Sequence, residues 1–162
     1  MRQRLGWFAA IILLFAPATP RGLGAQAPAT IPIAKAVVAG LSLGLDSAGV
    51  TRLKGRPDSI GPARFEEILD DSVRTWFYRE VLVTFYGPHV QELECRTAAC
   101  RTADGIRLGD AESRLIATYG RPYRSEHAPE HRGYTIRGQD CWLGFDIRHG
   151  RIVRIKVECD YS

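Results

Sequence analysis

Apolar positions along this chain follow two rhythms. From residue 73 to 95, and again from 133 to 159, they alternate with polar ones, the period of two that sends successive side chains to opposite faces of a strand. Val81, Val83 and Phe85 oppose Leu82, Thr84 and Tyr86, and Cys141, Leu143, Phe145 and Ile147 oppose Trp142, Gly144 and Asp146. Strands are therefore predicted over about 64–69, 73–79, 81–86 and 90–95, then 123–126, 133–137, 141–148 and 151–159. Turn residues at 70–72, 87–89, 128–130 and 149–150 separate them. Ahead of each block the spacing widens. Ala111, Leu115 and Tyr119 form a stripe every four residues, with Val50 and Leu53 as a shorter counterpart, so a helix is predicted in each place. Asp46 and Asp110 are the expected N-caps, Gly55 and Gly120 the expected ends, and Pro57 and Pro122 forbid continuation. Gly49 weakens the first helix by about 1 kcal/mol relative to alanine.

The two helix entries are alike. Residues 41–57 lie on 106–122 without a gap at an offset of 65: Leu43-Gly44 returns as Leu108-Gly109, and Gly55-Arg56-Pro57 as Gly120-Arg121-Pro122. A fixed period suggests one unit copied and stacked. The expected fold class is α+β: two tandem repeats, 28–100 and 101–162, each a short helix packed on an antiparallel β-meander of about four strands. A unit of about 60 residues buries little surface alone, so a shared core or fused sheets are expected.

Residues 1–27 are set apart as a secretory signal. Arg2 and Arg4 precede an apolar stretch from Leu5 to Ala16, and small residues follow as far as Ala27. The stretch is shorter than the roughly 20 residues that span a bilayer. A periplasmic or secreted protein follows, and because no cysteine precedes Cys95, neither an acyl anchor nor a stable membrane attachment is expected after cleavage. Export changes the charge as well: losing Arg2, Arg4 and Arg21 lowers the formal +4 to about +1. Basic and acidic residues then intermix, with no concentrated footprint for nucleic acid.

An oxidising compartment makes disulfides the natural state of four cysteines. Alternation about His149-Gly150 groups Cys141 with Leu143, Phe145 and Ile147, and Cys159 with Val153, Ile155 and Val157. An even residue sum, 300 or 298, keeps both sulfurs on the apolar side, and an odd sum would expose one whole set. Cys141–Cys159 is therefore favoured, leaving Cys95 to pair with Cys100; a bridge from Cys95 to Cys141 or Cys159 is the alternative. Cys95 and Cys100, with four residues between them and distant partners, match a zinc site poorly.

The doubled pattern of Leu43-Gly44, Val50 and Gly55-Arg56-Pro57 with Leu108-Gly109, Leu115 and Gly120-Arg121-Pro122, each ahead of a meander, resembles the module of the SmpA/OmlA outer-membrane lipoproteins. Doubling, export and a disulfide also resemble the secreted β-lactamase inhibitor proteins, whose two modules grip an enzyme on a concave sheet. The resemblance implies protein binding and carries no catalytic residue.

The chain holds no Gly-x-Ser-x-Gly elbow, no His-Glu-x-x-His and no phosphate-cradling glycine loop. His89, His127, His131 and His149 all fall in or beside turns. His127 and His131, with Glu126 and Glu130, have the spacing of a cation site, but Pro129 breaks the helix that would align them. Asp70 and Asp71, as sequence neighbours, point apart. The remaining candidate is a sheet surface. One helix covers one face, and the other would present Phe77, Leu82, Tyr86 and Trp142, residue types that anchor interfaces. The expected function is an exported, non-enzymatic module binding an unidentified protein partner, with no cofactor. A small metal-dependent envelope hydrolase using His127 and His131, and a structural component of an envelope assembly, are the alternatives.

Overall fold

A computed structural model describes residues 29–67 and 70–159; the predicted signal, 1–27, lies outside them. Its strands are β1 (Thr30–Ile31), β2 (Ser59–Ile60), β3 (Arg64–Glu66), β4 (Asp71–Phe77), β5 (Val81–Tyr86), β6 (His89–Cys95), β7 (His131–Ile136), β8 (Cys141–Arg148) and β9 (Arg151–Cys159). The helices are α1 (Ser47–Lys54) and α2 (Glu112–Tyr119), with one short 3-10 turn at Ile33–Lys35.

The strands form a single nine-stranded sheet in the order β1-β7-β8-β9-β6-β5-β4-β2, with β3 also on β4. This corrects the expected pair of helix-plus-meander repeats. The two hairpins meet edge to edge where β6 pairs with β9, at Glu92↔Glu158, Leu93↔Val157 and Glu94↔Lys156. An open strand edge left by each short hairpin is satisfied by the other. Leu93 and Val157 at this seam are fully buried, in one hydrophobic cluster that draws on Val50, Val83 and Phe85 as well as Leu115, Tyr134 and Phe145. The sheet is also mixed, because β1 runs parallel to β7. Segments 41–57 and 106–122 make like contacts within it: Gly44 N–H donates to Val90 O and Gly109 N–H to Ile152 O, each at 2.8 Å. They serve one sheet, not separate modules.

Four local expectations are also corrected. Of the two residues expected on the buried face of α1, Val50 is there, beside Gly49, but Leu53 is 57% exposed. The N-cap of α2 is Ala111; Asp110 turns back, its Oδ2 accepting from Arg107 N–H at 3.0 Å and its Oδ1 from Arg114 Nη1 at 3.0 Å. No strand forms over 123–126, where Tyr123 alone bridges Gly133. Val153 is exposed, because the β8–β9 register slips at Asp146/Ile147 from a residue sum of 300 to 299, bringing Ile152 inward opposite Ile147. An odd sum thus occurs near the turn, and a β-bulge confines it there. Beyond the bulge Cys141 pairs with Cys159 and is bonded to it; Cys95 is bonded to Cys100.

Candidate functional site

Both helices lie on one face of the sheet. Tyr119 of α2 places its ring 5.3 Å from that of Tyr134 and 6.0 Å from that of Phe145, while α1 buries Val50 against the same core and Ser47 borders a recess shared with Trp76 and Phe85. Residues paired across neighbouring strands share a face, so the register lays out the opposite face in rows. One row runs Phe77, Leu82, Glu94, Lys156, Gly144, Gly133, with Tyr123 at the outer edge. The next runs Thr75, Thr84, Glu92, Glu158, Trp142, Thr135. Val73 and Tyr86 extend the face at one corner, and Arg154, Asp146 and His131 at the other.

The four predicted surface residues all belong to this face, and each is partly exposed. The structure brings only two of them side by side. Phe77 stands directly opposite Leu82, while Tyr86 lies opposite Val73, four residues and about 13 Å further along β5. Phe77 is also flanked by Gly61, whose backbone lies so close that an added Cβ would come 3.3 Å from the Phe77 ring. Trp142 is three strand spacings from Leu82, about 14 Å, with β6 and β9 between them. Alternation fixes a face but not the strand order, so a sequence reading cannot see this gap.

Charge fills the gap. Glu94 holds Arg154 through two hydrogen bonds, of 2.8 and 3.1 Å. Lys156 is bonded to Glu158 and lies 3.1 Å from Glu92, and Trp142 Nε1 donates to Glu158 Oε1 at 3.1 Å. Burial opposes the charge on Lys156, but its bonds to Glu158 and Glu92 outweigh that and hold its pKa above 10.5. Arg154 is likewise raised, first by its bond to Glu94. Tyr86, beside this band, is raised above 10 by burial and then by the Glu92 charge.

At the β7–β8 end the face opens into a cleft of about 450 Å³, lined by Tyr123, His131, Gly133, Tyr134, Thr135 and Trp142. Its origin lies in the row where Gly133 faces Gly144: two adjacent positions lack side chains, between the His131–Asp146 row and the Thr135–Trp142 row. The His131 ring leans over these glycines, so near that a Cβ on Gly144 would meet its Cε1 at 2.7 Å. His131 Nδ1 lies 2.9 Å from Asp146 Oδ1. Sequence reading missed this cleft. A glycine inside a strand marks a close approach, and two of them would have been the available signal.

The other titratable candidates do not converge. His127 stands exposed in the loop before β7, His89 is exposed at the start of β6, and His149 is exposed in the turn between β8 and β9. Asp71 opens β4, and its Oδ1 accepts from the neighbouring Ser72 N–H at 2.7 Å. Among the described residues no group of three histidine, cysteine or acidic side chains is arranged to hold a metal ion, and no helix is long and apolar enough to cross a membrane.

No family model and no curated protein matches the chain. Among solved structures it is similar to an extracellular protein containing a SCP domain from Bacillus anthracis str. Ames, at 13% identity and a TM-score of 0.58, over 73% of this chain and 44% of that one. At that identity the likeness is one of fold, and this chain spans less than half of that protein's length.

Proposed function

We propose that this protein is an exported, non-enzymatic module that holds a protein partner on the open face of its sheet. The observation that carries the reading is the one-sided covering of a wide sheet. Both helices lie against one face, and the other presents Phe77, Leu82 and Tyr86 at one end, Trp142 at the other, and fixed charges between. Apolar anchors around ordered polar groups are the composition of an interface. Two disulfides support export, since such bonds persist in oxidising compartments. The band of Glu92, Glu94, Asp146 and Glu158 against Arg154 and Lys156 leaves an acidic excess, so the partner's facing surface is basic and capture weakens as salt rises.

A photo-crosslinking residue at position 82 tests the proposal on the exported proteome. The expected result is a discrete crosslinked partner, lost when Tyr86→Ala and Trp142→Ala are combined and retained with Leu53→Arg on the exposed side of α1. Equal crosslinking in all three proteins would reject the open face as the binding surface.

A further inference from the structure

We infer that the cleft between β7 and β8 is a binding site for a neutral sugar ring. The argument rests on the shape and chemistry of the cleft, independently of protein docking around Leu82. Its volume, about 450 Å³, suits a small ligand. The lining joins two aromatic side chains on the open face, Tyr123 and Trp142, to the polar groups of His131 and Thr135. It contains no carboxylate, lysine or arginine, and its one imidazole, His131, is already paired with Asp146, so the lining offers no spare charge to a charged ligand. A pyranose answers to both features: its C–H face packs on aromatic rings while hydroxyls around its rim make hydrogen bonds.

His131 sharpens the choice. With Nδ1 directed at Asp146 Oδ1, Nε2 faces the glycine floor, 3.2 Å and 3.6 Å from where Cβ atoms on Gly144 and Gly133 would stand. Nε2 accepts a hydrogen bond in the neutral ring and donates one in the protonated ring. A hydroxyl serves in either case, whereas a carbonyl or an amide N–H serves in only one. The His131 ring covers Gly144, and the absent side chain at Gly133 leaves room for the edge of a sugar ring between that imidazole and Tyr123: an added Cβ at Gly133 would stand 3.6 Å from His131 Nε2 and 3.8 Å from Tyr123 Cδ1.

That glycine supplies the test. Alanine at position 133 meets the protein only at ordinary contact distances, so Gly133→Ala keeps the fold and fills the floor. The mature protein is titrated with cellotriose, triacetylchitotriose and mannotriose while the Trp142 indole resonance and binding heat are followed, with glucuronate and p-cresol as charged and purely aromatic probes. At least one trisaccharide is expected to bind saturably and shift that resonance. Gly133→Ala and Tyr123→Ala each weaken it by about tenfold or more, about 1.4 kcal/mol; Leu82→Arg leaves it unchanged and thereby separates this site from the proposed protein interface. No saturable binding of any trisaccharide up to about 10 mM, a range covering weak millimolar affinities, would overturn the inference. So would tighter binding of glucuronate or p-cresol than of every trisaccharide, or full affinity in Gly133→Ala.

Discussion

Arg132 is a charge set into the core side of the sheet, 7% exposed, and its partners show how it is tolerated. Its Nε reaches Glu112 Oε1 at 2.6 Å, and Nη1 donates to Pro129 O at 2.6 Å and His131 O at 3.0 Å. The pair ties the start of α2 to β7 and fixes the chain leading into His131. Glu112 is partly exposed and Arg132 keeps its two carbonyl acceptors, so Glu112→Ala is expected to lower stability by about 1–2 kcal/mol in urea unfolding, and Glu112→Leu with Arg132→Met to recover most of it. Tyr119 gives a pH dependence. Burial is the main cause that pushes its hydroxyl up from 10 to about 12, against the bond to Thr102, whose oxygen lies 2.7 Å away. Because the folded value is the higher one, the contribution is complete below pH 10 and is lost as pH rises through about 12. Denaturation midpoints should hold steady up to pH 10 and then fall, less steeply in Tyr119→Phe; an unchanged fall in the variant would remove Tyr119 as the cause.

At the scale of elements, the Cys141–Cys159 bridge clamps the ends of the β8–β9 hairpin, whose β8 strand carries Trp142. Replacing both cysteines by serine is expected to lower stability by about 3 kcal/mol on the chain-entropy estimate, with a cooperative melt retained at lower temperature. That bridge was legible in the sequence because strand alternation depends on neighbouring residues alone, as do the Asp46 cap and the glycines that end both helices, Gly55 at φ +78° and Gly120 at +85°. The bulge at Asp146/Ile147 was not legible: it moves a register by one position without altering composition, and it turned Val153 outward. Nor was the cap of α2, since Asp110 found closer partners in Arg107 and Arg114.

Across the whole molecule, the layout of the open face depends on how two hairpins meet. The offset-65 match shows where chain segments are alike but carries no information on which edges join, and the β6–β9 pairing makes one sheet of what sequence periodicity presents as two units. That pairing sets Trp142 apart from Leu82, interposes the charged band, and leaves the cleft at the far end. The same dependence predicts that residues 29–100 expressed alone do not fold, since Leu93 loses its seam partner Val157 and β1 loses β7; a cooperative melt from that fragment would show otherwise. The most direct test is native-state hydrogen exchange of the intact protein, read at the amides of 92–94 and 156–158. One continuous sheet requires these to exchange in the slowest class, with a single free energy equal to that of global unfolding and shared by the cores of β5 and β8. Faster exchange at the seam, with the two hairpins opening at separate free energies, would contradict it.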